Sequence, residues 1–519
     1  MGRYRAAAFA ALLLFALARP AAAQDVTLTS PDGAVEITGT LLGFDGEFYR
    51  VDTRFGELTV DGSGVSCDGP GCPSLTDFVA EVVLSGSSTM AEVLLPALVE
   101  GFALRHGLRA SRETLDESGF EYALMRADTG ALAARFLFRV GTTDEGFADL
   151  LANEADMVMA LREIRRDERT LAREAGLGDM TDASRSRVLA LDAVVPVVAA
   201  SNPVRRISTP DLARVFAGEI VNWSALGGPD APISLHLPAE GSGLAQAVED
   251  RLLRPAGLVL AASVTRHRRS SALARAVTVD PFAVGMASFA ETGQARPLTL
   301  TGDCGFSLSV SRRTIKTEDY PLTAPMFLYL PARRLPKLAR DFLAYSRSPA
   351  AQIVIRRAGF VDQSPERIAL GAQGDRLANA IAVAGNEVPL EELQRMIATM
   401  RPMARLTTSF RFETGSSRPD AQSRANIDQL ARALETGLYD ARTLLFVGFS
   451  DGDGPADANR GIALKRARAV RDAVLAAAET AAAGRTRIEI DAFGEALPMA
   501  CDDSDWGRQV NRRVEVWVR

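Results

Sequence analysis

The stretch Ser85-Gly86-Ser87-Ser88-Thr89-Met90 separates two apolar patterns of different period. The run Val82-Val83-Leu84 before it is typical of a buried strand, and apolar residues recur at helical spacing from Met90 to Phe102. We therefore predict a short hydroxylated turn between a strand and the N-terminus of a helix. Such a terminus presents unpaired backbone N–H groups and a positive dipole end, which favour an anion. On this stretch alone, a serine that only caps the helix is the simpler interpretation.

The chain has 519 residues, which is too long for one ordinary domain and predicts about three or four units. Its composition is globular, with 47% hydrophobic and 24% charged residues. A net charge of −6 gives no support for a nucleic-acid partner. His106, His236 and His267 are scattered without ligand spacing, so neither a metal site nor a cofactor is expected.

The first 23 residues have the features of a signal peptide. Arg3 and Arg5 precede the apolar run 6–18, which is too short to span a bilayer. Ala21-Ala22-Ala23 before Gln24 has the small-residue form of a cleavage site. The mature protein is predicted to begin near Gln24, outside the cytoplasm. Because no cysteine stands at that point, we expect no lipid anchor.

Export of the chain permits disulfides. Cys67 and Cys72 are close in sequence and are separated by turn-forming residues, which predicts a local disulfide. Cys304 and Cys501 are far apart. They either pair across domains or remain free, and the sequence does not distinguish these alternatives.

The pattern divides the chain after the signal peptide into four parts. Residues 24–75 show short alternating runs punctuated by Asp-Gly pairs, which predict a small β domain. In 76–362, strand-like runs alternate with helical patterns, which predicts an α/β domain with a largely parallel sheet. Residues 363–404 are predicted to be a linker with one amphipathic helix near 390–400. A separate α/β unit is expected over 405–519.

A second glycine-serine turn, Glu240-Gly241-Ser242-Gly243, also opens a helical pattern. Two such helix starts in one α/β domain are what a two-lobed anion clamp requires. Each lobe directs N–H groups at the anion, and the anion holds the lobes together.

Five segments between residues 76 and 362 carry a specific resemblance. They are 147–162, Ser201-Asn202-Pro203-Val204, 222–228, Tyr320-Pro321-Leu322 and Ala358-Gly359-Phe360-Val361. These segments resemble the phosphate-binding-protein (PstS-like) group of periplasmic substrate-binding proteins. The resemblance implies a two-lobed α/β fold of type II, with phosphate or a related oxyanion held between the lobes.

The resemblance assigns oxyanion contacts to both glycine-serine turns. By position, the expected anion-binding residues are Ser88, Thr89, Met90 through its N–H, Arg162, Ser242 and Gly243.

This sequence departs from the group's pattern at three positions near those residues. Leu161 replaces a serine, Leu244 a threonine and Pro238 an arginine, which weakens the case for tight phosphate scavenging. The planar guanidinium of Arg162 suits an oxyanion and could supply the counter-charge. An interlobe or surface salt bridge is the alternative role for Arg162.

Near the C-terminus, Asp451 follows a strand-like run, and Arg466 lies on the predicted helix after it. A carboxylate and a guanidinium that face one small ligand can bind an amino-acid-like zwitterion, because each meets a group of opposite charge. An internal salt bridge between Asp451 and Arg466 is the alternative.

Residues 405–519 resemble the OmpA-like peptidoglycan-binding domain. The matching residues are Phe412, Gly415-Ser416, 448–451, Asn459, Arg466-Ala467, Gly494-Glu495, Pro498 and 511–515. The resemblance implies that Asp451 and Arg466 bind the diaminopimelate of the peptide stem and that Asn459 supports the loop. Arg512 and Arg513 are expected to be structural or rim residues, and the alternative is that one of them lines the pocket.

Together these features favour a non-enzymatic, exported solute-binding protein that is anchored non-covalently to peptidoglycan. We expect it in the periplasm, at the peptidoglycan and outer membrane of a Gram-negative-type envelope, with an ABC permease or envelope protein as a candidate partner. One alternative is an envelope scaffold with a vestigial cleft. A serine hydrolase is a further alternative, but 85–88 is not a Gly-x-Ser-x-Gly elbow and no His-Asp partner set is apparent.

Overall fold

The computed structural model describes residues 25–74, 78–182, 184–302, 304–385, 387–413, 416, 418–478, 484–502 and 505–519. The predicted signal peptide, 1–23, lies outside the described residues, and so does Gly415 of the OmpA-like resemblance. In the described part of the chain, no helix is both long and apolar enough to cross a membrane.

The N-terminal unit is an antiparallel sheet with the strand order β4-β3-β2-β1-β5. Its strands are Asp25–Thr29 (β1), Glu36–Phe44 (β2), Phe48–Thr53 (β3), Gly56–Asp61 (β4) and Ser66–Asp68 (β5). Its small buried core consists of Val26, Leu28, Tyr49 and Val51. A disulfide joins Cys67 to Cys72, with 5.8 Å between their Cα atoms, and closes the turn after β5.

The first lobe of the next domain is built on one end of a large mixed sheet. Its strands are Ala80–Ser87 (β6), Leu108–Thr114 (β7), Gly119–Arg126 (β8), Leu132–Gly141 (β9) and Met157–Ala160 (β10), and its helices are Leu95–Arg105 (α1), Thr143–Leu151 (α2) and Arg166–Glu174 (α3). Strands β9 and β10 flank β6 in parallel. The apolar run before the glycine-serine turn is therefore an interior strand, with Val82 and Leu84 buried.

One long strand, Ser186–Val198 (β11), runs from the first lobe into the second. Its first half pairs with Thr323–Tyr329 (β19) and its second half with Ala283–Ser288 (β15), so the sheet continues through the hinge. Every residue of β11 from Val188 onward is buried, as expected for a strand covered on both faces.

The second lobe surrounds β15. Its other elements are the strands Arg206–Ser208 (β12), Ser234–Pro238 (β13), Thr265–His267 (β14), Arg296–Pro297 (β16), Thr299–Thr301 (β17) and Ser307–Leu308 (β18), and the helices Thr209–Phe216 (α4), Gly243–Val248 (α5), Ser270–Val279 (α6) and Arg312–Lys316 (α7). The chain returns to the first lobe through β19, and the helices Lys337–Tyr345 (α8) and Pro349–Arg357 (α9) pack there.

The large sheet is mixed, so the prediction of a largely parallel sheet was wrong. Strand β8 is antiparallel to both β7 and β9, and β11 is antiparallel to both β19 and β15. The first three strands are joined by short turns, which require antiparallel pairing. The hinge strands are antiparallel because the chain enters the second lobe on β11 and returns on β19.

The segment 363–404 contains more structure than the single predicted helix. Its main elements are Arg367–Ala369 (β20), Gly374–Val383 (α10) and Leu390–Met400 (α11). Strand β20 joins the sheet of the C-terminal domain, and Met396 and Met400 pack in one cluster with Trp517. Helix α10 was not predicted. Ala380 is its only buried residue, so the helix has no clear apolar stripe in the sequence.

The C-terminal domain completes a five-stranded sheet of order β20-β21-β24-β22-β23. Its elements are Ala404–Arg411 (β21), Ala421–Glu435 (α12), Thr443–Phe449 (β22), Ala456–Ala477 (α13), Arg487–Gly494 (β23), Asp505–Asn511 (α14) and Arg513–Val518 (β24). Helix α13 crosses over between the parallel strands β22 and β23. A Cβ on Gly448 would lie 2.1 Å from the Ala463 carbonyl oxygen, so only glycine permits this close packing.

Buried charges and a disulfide join the two large domains. Arg405 is 1% exposed and donates to both carboxylate oxygens of Asp319, at 2.7 and 3.0 Å. Its Nε lies 3.3 Å from the fully buried carboxylate of Glu515. Cys304 and Cys501 are joined, with 5.7 Å between their Cα atoms, so the pair links the second lobe to the C-terminal domain.

Replacing Arg405 by methionine should strongly destabilise the protein. The change leaves Asp319 and Glu515 buried without this guanidinium, and breaking a buried ion pair costs roughly 3–5 kcal/mol. Chemical denaturation measures the loss. As a control, Arg50→Met removes a half-exposed pair with Glu57 and should cost less than about 1 kcal/mol. Similar losses in both variants would contradict the structural role of Arg405.

Candidate functional site

A cleft of about 970 Å³ opens between the two lobes. The first lobe contributes Ser85, Ser88 and Arg139 to its walls, and the second contributes Ser242 and Arg268. The Ser88 hydroxyl donates to the Arg268 carbonyl oxygen at 3.5 Å. The two glycine-serine turns therefore line one cleft, and the lobes touch beside it.

The first turn depends on Gly86. This residue has φ +125°, and a Cβ there would lie 2.4 Å from the Met159 carbonyl oxygen. Only glycine therefore lets β6 turn at this point beside β10. The helix that follows begins at Ser88, and it buries Thr89 and Met90 beneath the wall of the cleft.

The second turn is held by its own serine. Ser242 Oγ accepts the Ala245 N–H at 3.2 Å and so caps α5. Gly243 lies against the first lobe, since a Cβ on it would be 2.8 Å from Leu161 Cβ and 2.9 Å from Thr143 Oγ1. The start of α5 thus packs on protein atoms of the other lobe, and only the Ser242 side of the turn faces the cleft.

Apolar side chains occupy the region where the two helix starts approach each other. Met90, Leu161 and Leu244 are at most 3% exposed. Leu161 and Leu244 are the positions at which the sequence departs from the phosphate-binding group.

Arg162 uses all five of its N–H groups on protein acceptors. Nε donates to Gln246 Oε1 at 2.5 Å, and the two terminal nitrogens donate to Asp144, to both Glu168 oxygens and to the Glu163 carbonyl oxygen. Gln246 belongs to the second lobe and also donates to Asp144, at 2.7 Å. Arg162 thus lies in an interlobe ion-pair network, which is the alternative role that the sequence left open.

The network keeps Arg162 charged although the side chain is buried. Burial disfavours the guanidinium charge and by itself would lower the pKa of Arg162. The hydrogen bonds that Arg162 donates to Glu168 and Asp144 outweigh this effect, so the pKa is raised. In the same way, Gln246 and Arg162 overcome the effect of burial on Asp144 and lower its pKa. An oxyanion could reach Arg162 only by displacing one of these acceptors.

Most other charges around the cleft are paired. Arg269 lies 3.0 Å from Glu92, and Arg139 lies 2.7 Å from Glu154. Among the described residues, no ion pair involves the side chain of Arg268. The guanidinium of Arg268 therefore has its donors left for a ligand.

The serines of the cleft have no histidine partner in the described residues. Ser85 donates to Asp149 at 2.6 Å, and Ser88 donates to a backbone carbonyl. His236 and His267 hydrogen-bond each other at 2.9 Å, and His106 contacts the Phe102 carbonyl oxygen. No arrangement of these residues resembles a serine-nucleophile triad.

A second candidate site lies at the end of β22. Asp451 is 9% exposed and forms an ion pair with Arg512, not with Arg466. Arg466 lies over the ring of Phe412, with 5.4 Å between its Cζ atom and the ring centre, and has no ion pair among the described residues. Asp451 and Arg466 are therefore not paired with each other, which leaves the charge of Arg466 available to a ligand while Asp451 is held by Arg512.

Arg466 and Asn459 complete this site from α13. Burial and the charge of Arg512 lower the pKa of Arg466, so a carboxylate beside these two guanidiniums would relieve their repulsion. Asn459 donates to Glu495 at 2.8 Å and to the Gly454 carbonyl oxygen at 3.3 Å. Asn459 thus supports the loop that follows Asp451.

Several residues of these sites were not singled out from the sequence as site residues. Asp144 and Gln246 join the network of Arg162 from distant parts of the chain, and no sequence signal links them. Arg512, for which the sequence left open a structural role, a rim position or a place in the pocket, is the ion-pair partner of Asp451. Its place in the matching segment 511–515 was the one available signal.

A two-lobed α/β domain with a cleft at its hinge defines the class of bilobal solute-binding proteins. The chain belongs to the PBP superfamily: the model of the PBP superfamily domain matches residues 73–350. The model of the OmpA family matches residues 411–512. These matches confirm the two-part resemblance and the fold class predicted from the sequence.

Two curated proteins illustrate the similarity of the first part. Protein SphX of Synechococcus elongatus is 25% identical over 234 residues, which cover 43% of this chain and 67% of that protein. Phosphate-binding protein PstS of Bacillus subtilis is 27% identical over 186 residues, which cover 35% of this chain and 60% of that protein. The match thus leaves a third or more of each relative uncovered.

A solved structure is similar in the same region. The ABC-type phosphate transport receptor from Vibrio cholerae is 20% identical, and the match covers 54% of this chain and 99% of that chain, with a TM-score of 0.41.

The hinge strand carries a buried carboxylate. Asp192 on β11 is fully buried and accepts hydrogen bonds from the Ser288 hydroxyl at 2.6 Å and the Ala290 N–H at 3.3 Å. Burial raises the pKa of Asp192 to about 6, although these hydrogen bonds oppose the shift.

Asp192 should make the protein less stable as the pH rises from about 4 to 6. In this window the Asp192 carboxyl is ionised in the unfolded state but stays protonated in the folded state. The free energy of unfolding therefore falls by up to about 3 kcal/mol. Asp192→Asn cannot ionise, so its stability relative to wild type should improve by that amount across the window. Urea denaturation at several pH values measures it, with exposed Asp453→Asn as control. Parallel pH profiles for wild type and Asp192→Asn would contradict the prediction.

Proposed function

We propose that this chain is an exported, non-enzymatic binding protein that holds a phosphate-like oxyanion between its lobes and attaches non-covalently to peptidoglycan. The observation that carries the proposal is the combination in one chain of a PBP superfamily domain with an OmpA family domain whose Asp451 and Arg466 are not paired with each other. A capture site and a wall-binding site are thus joined in one molecule.

The peptidoglycan site rests on complementary charge. Diaminopimelate carries an ammonium and a carboxylate on one carbon. We propose that Asp451 accepts the ammonium and that Arg466 donates to the carboxylate, with Asn459 holding the loop between them. Charge-assisted hydrogen bonds of this kind are stronger than neutral ones. When the ligand ammonium replaces Arg512 as the partner of Asp451, Arg512 would shift towards the ligand carboxylate.

The oxyanion site rests on the two turns. We propose that the hydroxyls of Ser88 and Ser242 contact the anion from opposite lobes, while the buried Thr89, Met90 and Gly243 shape the two turns beside them. The names of the relatives SphX and PstS and the position of the cleft support an anion of the phosphate class. Because Arg162 is fully engaged, Arg268 is the guanidinium proposed to supply counter-charge.

The envelope location follows from the same features. The N-terminal signal peptide predicts export, and peptidoglycan binding would hold the protein in the periplasm of a Gram-negative-type envelope, near the outer membrane. A wall-bound protein does not diffuse freely to an ABC permease. We therefore propose capture or sensing at the wall rather than shuttling.

One observation favours a second function, that of an envelope scaffold whose cleft no longer binds tightly. Buried apolar side chains, Met90, Leu161 and Leu244, adjoin the two helix starts, and Arg162 is ion-paired with Asp144 and Glu168. A scaffold would keep the peptidoglycan site and lose the oxyanion site, so the two functions are separable by experiment.

Asp451→Ala and Arg466→Ala should each weaken binding to purified peptidoglycan by at least about tenfold, because each removes a hydrogen bond between charged groups. Co-sedimentation of the mature protein measures the retained fraction. Arg468→Ala is the matched control, since Arg468 is exposed on the same helix. Undiminished retention of both site variants would reject this pocket.

Phosphate should bind the mature protein with measurable heat, and Ser242→Ala should weaken that binding by about tenfold through loss of one charge-assisted hydrogen bond. Isothermal titration calorimetry with phosphate, arsenate and sulfate tests this, with exposed Ser224→Ala as control. Absence of heat and of any thermal shift with all three anions would reject the oxyanion site and favour the scaffold.

A further inference from the structure

The C-terminal domain contacts both lobes of the clamp. On the first lobe, the Glu163 carboxylate accepts the Ala421 N–H at the start of α12 at 2.9 Å, and Arg424 on the same helix lies 3.4 Å from it. Gln363, beside the first lobe, bonds Gln422 at 3.3 Å and accepts from Gln429 at 2.5 Å. Helix α12 is thus attached to the first lobe at several points.

The second lobe is attached to the same domain by a covalent bond. Cys304 lies between β17 and β18, and its disulfide to Cys501 spans a sequence separation of 197 residues. The Cys304 N–H also donates to Cys501 Sγ at 3.1 Å. A Cβ on Gly302 would lie 2.5 Å from that sulfur, so the backbone of the lobe is packed directly on the bridge.

The lobes themselves are in contact in this arrangement. Gln246 of the second lobe bonds Arg162 and Asp144 of the first, and Arg269 of the second pairs with Glu92 of the first. Glu163, which α12 holds, is the neighbour of Arg162 in the chain. The external attachment and the interlobe network therefore meet at adjacent residues.

Opening such a clamp requires the lobes to rotate about the hinge strands β11 and β19. Each lobe is also fixed to one rigid third body, the sheet and helices of the C-terminal domain. Rotation would have to break either the noncovalent contacts of α12 with the first lobe or the attachments of the segment 304–319, which are the disulfide and the buried Arg405–Asp319 pair. The disulfide cannot open by thermal motion, so it limits the lobe movement that remains.

We propose that the C-terminal domain is a brace that holds the clamp closed, and that the Cys304–Cys501 disulfide is its redox-sensitive tether. A dithiol reductant would release it: the S–S bond takes up two electrons and two protons to give two cysteine thiols, and the dithiol becomes a disulfide. Cavities of about 390 and 270 Å³ border the bridge, and Cys304 is exposed, so a reductant has access.

Hydrogen–deuterium exchange on the full mature chain, without any ligand, tests the brace. Segments that line the cleft, near 88–94 and 242–248, should exchange roughly tenfold faster in the Cys304→Ser/Cys501→Ser variant and in wild type treated with dithiothreitol. The matched control is Cys67→Ser/Cys72→Ser, which removes the local disulfide of the N-terminal unit and should leave the cleft unchanged.

A second variant tests the other attachment. Glu163→Gln/Arg424→Gln weakens the contact of α12 with the first lobe while the disulfide stays intact, and it should also speed exchange at the cleft. If the cysteine variant does not fold, this variant and reduced wild type carry the test. The proposal would be overturned if the cleft segments exchanged no faster in this variant and in reduced wild type while exchange at the domain boundary became faster in both. Because no ligand is used, this outcome is independent of oxyanion binding.

Discussion

The pairing of Asp319 with Arg405 across the domain boundary is the constraint on which the arrangement of this chain depends. Each charge is buried by the other domain, and a buried charge without its partner is strongly destabilising. Glu515 extends the pair into the C-terminal sheet, where Arg376 and Arg513 contact it at 2.5 and 2.8 Å. The two domains therefore pack on each other as parts of one folded unit, and the linker segment that connects them belongs to that unit.

The two candidate sites differ in how their charges are used. In the cleft, Arg162 is fully paired and the centre is apolar, so ligand chemistry is confined to Ser88, Ser242 and their surroundings. In the C-terminal pocket, Asp451 is held only by Arg512 and its expected partner in ligand binding is unpaired. The proposed peptidoglycan site thus has a charged group available to a ligand, whereas the two helix starts at the cleft are packed with apolar side chains.

Sequence reasoning was accurate where structure is local. The helix predicted near 390–400 lies at Leu390–Met400, because the pattern that predicts it is local: apolar residues recur at helical spacing. The spacing of Asp451 and Arg466 identified a strand-loop-helix unit for the same reason. The parallel sheet was predicted wrongly, and α10 was missed, because strand direction and a weakly buried helix depend on neighbours that are distant in the chain.

By itself the sequence determined the strand-turn-helix at Ser85 to Met90, its counterpart at Gly241 to Gly243 and the resemblance of the chain to two families. Hydrophobic periodicity and turn-forming residues act over a few positions, so both can be recognised in the sequence before the fold is known. Only the tertiary structure decided that Arg162 bridges the lobes and that Cys304 meets Cys501. These outcomes depend on which buried charges and thiols come within bonding distance, and that distance is set by packing of the whole chain.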